Sequence, residues 1–102
     1  MTYSLEFKKS AYKEWKKLGH TIRNQFKKKI EERLENPHVP NSALSGATNL
    51  YKIKLRQVGY RLVYSVDDDV IVVTVIAVGK RDRNEVYDVA LSRLQQGDWA
   101  IT

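Results

Sequence analysis

Two stretches of the chain carry groups able to act on a phosphodiester. One is Tyr51-Lys52-Ile53-Lys54-Leu55-Arg56-Gln57-Val58-Gly59-Tyr60-Arg61-Leu62-Val63-Tyr64, and the other is Gly79-Lys80-Arg81-Asp82-Arg83-Asn84-Glu85-Val86-Tyr87. Successive side chains of a strand point to opposite faces. Alternation therefore puts Lys52, Lys54 and Arg56 on one face and Tyr51, Ile53 and Leu55 on the other. Cations crowded together repel, and a polyanion relieves the repulsion. Crowding also lowers a lysine's pKa, so that it can take up a proton near neutral pH, whereas an arginine stays charged and stabilises negative charge. The reaction these groups suit is RNA cleavage by internal attack. A base removes the 2′-hydroxyl proton, the oxygen attacks the adjacent phosphorus, cations stabilise the phosphorane, and a donor assists the departing 5′-oxygen. That chemistry calls for no metal or cofactor, and Asp67-Asp68-Asp69 reads as a solvated turn. His20 and His38, in a helix turn and a loop, are not read as catalytic. The pattern supports an anion site but does not separate catalysis from binding. The plainest alternative is the wet face of an antiparallel sheet.

The elements that must position these groups follow from periodicity. Tyr3, Leu5 and Phe7 alternate as a short strand, and from Ser10 the spacing becomes helical, with Ala11, Trp15 and Leu18 on one face. Gly19 reads as a helix stop and Thr21 as the cap of a second helix, whose inner stripe is Ile22, Phe26, Ile30 and Leu34. Asn36-Pro37 ends it, and a loop to Asn49 sends Leu44 into the core. A turn at Val58-Gly59 pairs Leu55 with Leu62, Ile53 with Tyr64 and Tyr51 with Val66, which sets Arg56 opposite Arg61 and Lys54 diagonal to it. Asp67 to Asp69 turn into Val70–Val78, apolar on both faces and so a central strand. If the strand stays extended past Gly79, Arg81 shares the parity of Ile71, Val73 and Val75 and reaches the face of Arg61. Asn84 or Asp82 caps a last helix over 85–94 with Val86, Val89, Ala90 and Leu94 inward, and Tyr87 in its first turn overhangs the cations.

The whole chain sets wider bounds. Its 102 residues make one domain, read as 1–94 followed by a frayed tail at 95–102, and 42% hydrophobic content suffices for one core. There is no cysteine, so neither disulfides nor thiolate metal sites arise. No apolar run is long enough to span a membrane and the N-terminus lacks a secretory core, which fits a cytoplasmic protein. A formal net charge of +6 favours a polyanionic partner.

These stretches, together with Leu5-Glu6-Phe7, Lys13-Glu14-Trp15-Lys16-Lys17-Leu18-Gly19 and Leu44-Ser45-Gly46, resemble the RelE family of bacterial toxins. These are ribosome-dependent mRNA endonucleases of toxin–antitoxin pairs. The resemblance covers nearly the whole chain apart from residues 95–102. It implies an α+β fold: a small antiparallel sheet, made of an N-terminal strand and a three-stranded meander, with a two-helix N-terminal hairpin and a C-terminal helix. It implies cleavage of mRNA in the ribosomal A site, with the family's functional positions falling on Lys52, Lys54, Arg61, Arg81 and Tyr87. By that carry-over Lys54, with or without Lys52, activates the 2′-hydroxyl, Arg61 and Lys52 hold the phosphate, and Arg81 supports the leaving group. Tyr87 positions or stacks on the substrate, or serves as an acid or base. The implied partners are mRNA, ribosomal RNA of the small subunit, a RelB-like antitoxin, and operator DNA through the antitoxin complex. Lys8, Lys9, Lys13, Lys16, Lys17, Arg23, Lys27, Lys28 and Lys29 form a candidate grip on ribosomal RNA. The alternatives are a ParE-like gyrase inhibitor and a non-catalytic basic binding module of the same fold.

Overall fold

The N-terminal alternation forms β1 (Ser4–Lys8), and the change to helical spacing forms α1 (Lys9–Lys16) and α2 (His20–Glu35). The computed structural model describes residues 2–45, 47–80, 85–96 and 100–101. α1 buries Ala11 and Trp15 and α2 buries Phe26 and Ile30, with Leu18, Ile22 and Leu34 packed beside them. The Trp15 ring lies 5.3 Å from Phe7 and 6.3 Å from Phe26, centroid to centroid. Gly19 does not end α1. Lys17 is its C-cap, and Gly19 starts α2, its carbonyl accepting from the Arg23 amide at 2.9 Å. Thr21, expected as the cap, is already inside the helix. Leu5, expected on the same side as Tyr3 and Phe7, is 37% exposed, whereas those two pack against the core.

Four further strands complete one sheet: β2 (Leu50–Leu55), β3 (Tyr60–Asp67), β4 (Val72–Lys80) and β5 (Ala100–Ile101), in the order β2-β3-β4-β1-β5. The meander β2-β3-β4 is antiparallel as its sequence dictates, and β4 takes the centre. β1 lies parallel to β4, so the sheet is mixed rather than wholly antiparallel. A central strand apolar on both faces needs a neighbour on each side, and β1 fills the second side while leading directly into the helical hairpin. The stretch from Gln95 contains the end of α3 (Glu85–Gln96) and β5, whose Ile101 and Ala100 pair with Phe7 and Lys8.

The two faces carry separate cores. The helical hairpin covers Tyr51, Ile53, Leu55, Leu62, Tyr64, Val66, Val73, Val75 and Val78. α3 covers Leu50, Val63, Ile76 and Ala77 with Val86 and Ala90, and Leu44 plugs in from the loop as expected. Val89, expected inward, is 38% exposed, and the Leu94 side chain lies outside the described residues.

The hairpin register differs from the expected one by two residues. Leu55 pairs with Tyr60, Ile53 with Leu62 and Tyr51 with Tyr64. The loop is the four residues 56–59, closed by the Gly59 amide on the Leu55 carbonyl at 2.9 Å, with Gly59 at φ +70°. Hydrophobic alternation has a period of two, so a shift of two leaves every face unchanged and cannot choose between these registers. Loop geometry does choose, because Gly59 supplies the left-handed residue that ends the longer turn.

A bulge in β4 sets the rest of the parity. Val63 pairs with Ala77 and Tyr64 with Val75, which leaves Ile76 as the extra residue. Val73 and Val75 therefore face the helical hairpin, Ile76 and Ala77 face α3, and Gly79 pairs with Arg61. The expectation that Val73 and Val75 mark the face of Arg61 fails for this reason.

Candidate active site

Lys52 and Lys54 lie on the α3 side of β2, alternating with buried Tyr51, Ile53 and Leu55. The observed register puts Arg61 directly opposite Lys54 rather than diagonal to it. Two like charges in facing positions are unfavourable in a sheet and need a reason. On its other side Arg61 pairs with Gly79, where an added Cβ would sit 3.1 Å from Val86 Cγ2. The absence of a side chain there lets the first turn of α3 lie close on β4.

That close approach brings Tyr87 over the cations. The Arg61 guanidinium carbon is 5.1 Å and the Lys52 ammonium 5.7 Å from the Tyr87 ring centroid. Two cations from neighbouring strands thus share one aromatic ring. Four of the five expected residues, Lys52, Lys54, Arg61 and Tyr87, converge at the same end of the sheet. Arg81 lies outside the described residues, as do Asp82 and Asn84, the expected caps of α3, and the Trp99 side chain. Arg56 does not face Arg61 but sits exposed in the hairpin loop.

Shallow hollows surround the cluster. One of about 220 Å³ is lined by Lys54, Leu55, Arg56, Gly59, Tyr60 and Arg61. Another of about 310 Å³ lies between Lys52, Tyr87, Asp88 and Leu91 of α3, and Leu44 and Ser45 of the loop. Such a site can hold a phosphate against Lys52, Lys54 and Arg61 and stack a base at Tyr87. It contains no imidazole, because both histidines of the chain are engaged elsewhere: His20 contacts Asn24 at 3.0 Å, and His38 lies between Tyr51 and Asp68.

Other groups escaped the sequence reading. Glu14 and Arg93 form a two-pronged pair, Arg93 Nη1 to Oε1 at 2.8 Å and Nη2 to Oε2 at 2.9 Å. Glu14 also accepts the Val78 amide at 3.0 Å, and Arg93 donates to the Ile76 carbonyl at 2.9 Å. These backbone groups flank the β4 bulge, beyond the last β1 pair at Val75, and the two side chains take the place of a missing strand while fastening α3 to α1.

On the other side of the sheet, His38 contacts the Tyr51 hydroxyl at 2.8 Å and Asp68 at 2.9 Å, and the Tyr3 hydroxyl donates to Asp68 at 2.7 Å. His38, then Tyr3, hold the Asp68 carboxyl below its ordinary 3.8. The hydrogen bond to Asp68 raises Tyr3 above 10.0. Burial raises the Tyr64 phenol too, against the opposing pull of Arg33, which donates to its oxygen at 2.9 Å. None of these contacts joins residues close in sequence, which is why spacing gave no sign of them. The lysines of the helical hairpin are mostly exposed, but Lys8 is 7% exposed and drops out of the candidate RNA grip. Among the described residues no helix is long and apolar enough to cross a membrane.

Residues 5–85 match the protein family described as ParE toxin of type II toxin-antitoxin system, parDE. The chain is 54% identical over 94 residues to the mRNA interferase toxin RelE of Escherichia coli K12, covering 92% of this chain and 99% of that one. It superposes on a mutant of E. coli toxin RelE in the free state with TM-score 0.85 and 52% identity, over 92% of this chain and 99% of the other. It superposes on the toxin of the intact E. coli RelBE toxin-antitoxin complex with TM-score 0.77 and 54% identity, over 79% and 99%.

Proposed function

Because the chain belongs to the RelE family of type II toxins, we propose that it is an endoribonuclease that cuts mRNA in the ribosomal A site and so arrests translation. The observation that carries this reading is the placement of Lys54 opposite Arg61 with the Tyr87 ring laid across Arg61 and Lys52. In the proposed reaction Lys54, with Lys52, accepts the proton of a ribose 2′-hydroxyl. The 2′-oxygen bonds to the adjacent phosphorus, and the bond from phosphorus to the 5′-oxygen breaks. The leaving oxygen takes a proton, and a 2′,3′-cyclic phosphate and a 5′-hydroxyl result. Lys52 and Arg61 balance the added charge on the phosphorane, Arg81 serves the leaving group, and Tyr87 stacks on the substrate. A cluster without imidazole is a modest acid–base apparatus. Ribosome dependence supplies the rest by holding the attacking oxygen in line, which is a large share of the barrier.

The partner proposed for neutralisation is a RelB-like antitoxin, the class of protein bound in the E. coli complex, with operator DNA contacted only through that complex. Small-subunit ribosomal RNA is the proposed contact for Lys9, Lys13, Lys16, Lys17, Lys27, Lys28 and Lys29, which are exposed on α1, α2 and the link between them, and for the partly exposed Arg23 of α2. Primer extension on mRNA translated in an extract tests the reading. Discrete cuts within codons support it. Intact mRNA together with altered DNA supercoiling would replace it with the gyrase-inhibitor reading, which the ParE family description keeps in view.

A further inference from the structure

The outer rim of β2 carries a hollow of about 310 Å³ lined by Arg33, Asn41, Ser42, Lys52, Lys54 and Arg56. Arg33 comes from the last turn of α2 and is half-buried. It donates to the Lys52 carbonyl at 3.3 Å, the Tyr64 hydroxyl at 2.9 Å and Ser42 Oγ at 3.2 Å. All three acceptors are neutral. Among the described residues no ion pair joins a carboxylate to Arg33, Lys52 or Arg56. Removing a guanidinium from water without an opposite charge is unfavourable, and locking it in place by neutral acceptors preserves its charge for a ligand. Arg33 is therefore a rigid cation, held beside Lys52 and facing a hollow that shares Lys52 and Lys54 with the reaction centre. Asn41 adds an exposed amide able to donate and accept at a base edge.

We propose that this hollow is a second substrate subsite, which holds the phosphodiester next to the scissile one on the same RNA strand. Arg33 and Arg56 meet that phosphate, and Asn41 meets the base beside it. The proposal rests on the reading of the chain as an RNA-cleaving toxin and extends that reading by one nucleotide. It makes Arg56, which the hairpin register removes from the reaction centre, part of the substrate path. It also explains why an arginine, rather than an apolar residue, fills the gap between α2 and the edge strand.

The test uses a trinucleotide RNA with a 2′-deoxy sugar at the reacting position, so that it binds without being cut, titrated into the full-length protein and followed by NMR. Two analogues each carry one neutral methylphosphonate linkage. The intact trinucleotide is expected to perturb the Arg33 and Asn41 side chains together with Lys52 and Lys54. Neutralising the linkage outside the reaction centre is expected to silence Arg33 and Asn41 and to weaken binding about tenfold. Arg33→Gln also loses internal hydrogen bonds, so Arg56→Gln, an exposed position, is the main variant. It is expected to bind about fivefold more weakly, with the log–log salt slope lowered in magnitude by about 0.7. If Lys52 and Lys54 respond while Arg33 and Asn41 stay silent and Arg56→Gln binds normally, the subsite is wrong and the nuclease reading stands. If no residue of either region responds, the subsite is wrong, and the nuclease reading is decided separately by primer extension on the ribosome. A response of the hollow to a ribosomal RNA helix fragment or a polyglutamate peptide, but not to the trinucleotide, also overturns the subsite.

Discussion

Two polar clusters lie on opposite faces of the same β2–β3 hairpin and follow opposite rules. On the helical-hairpin side His38 joins Asp68 and Tyr51, Tyr3 joins Asp68, and Arg33 closes on the Tyr64 hydroxyl, which itself donates to the Pro37 carbonyl at 2.7 Å. Donors there find acceptors, and the loop from Pro37 is pinned to the sheet. On the α3 side Lys52 and Arg61, from two strands, lie against one tyrosine ring, and Lys54 pairs directly with Arg61. A fold seeking only stability has no use for Lys54 facing Arg61, whereas a site that receives a phosphodiester needs that pairing. Arg33 apart, which borders both regions, the first cluster is expected to report on stability and the second on activity.

Breaking the comparison at its functional side gives the largest effect. Lys54→Ala should slow cleavage by about 10²–10⁴-fold, as loss of a general base does, while its melting temperature changes little. A melting temperature that falls in step with activity would show the cluster to be structural. Next comes the core under the other face. Phe26→Ala, at a fully buried position beside Trp15, should cost about 3–5 kcal/mol in denaturant unfolding, with no specific effect on catalysis per folded molecule.

The clamp between the helices is expected to matter less than either. Glu14→Gln leaves Arg93, 14% exposed, without its carboxylate and should cost about 2 kcal/mol, less than a fully buried pair because Glu14 itself is 33% exposed. Hydrogen exchange should localise the loss to α3. The smallest effect belongs to Asp68. Its carboxyl is held below 3.8, so it stabilises the fold above its unfolded pKa, and that contribution disappears as the pH falls through the folded value. Asp68→Asn and wild type should therefore differ slightly at neutral pH and converge once the pH has fallen below the lowered folded value. A difference that persists in acid would mean that the side chain acts through something other than its charge.

The legible parts of this molecule are those written at short range. Helical spacing marked Ala11, Trp15, Phe26 and Ile30, alternation marked the wet and dry faces of β2, and the resemblance marked the cations. What failed to show had one of two causes. Period-two patterns are blind to a shift of two, so the hairpin register, and with it the direct facing of Lys54 and Arg61, depended on the four-residue loop ending at Gly59. Continuous apolar sequence is blind to bulges, so Val72 to Val78 gave no sign that Ile76 reverses the parity of the strand. Long-range polar partners, Glu14 with Arg93 and Arg33 with Tyr64, have no local signature and are visible only once the chain has folded.

The most direct test is single-turnover cleavage of a message in a programmed ribosome, with wild type and Lys54→Ala at matched occupancy. The account predicts a rate at least about 100-fold lower for the variant with ribosome affinity changed by no more than a few-fold. Equal rates at equal occupancy would contradict it.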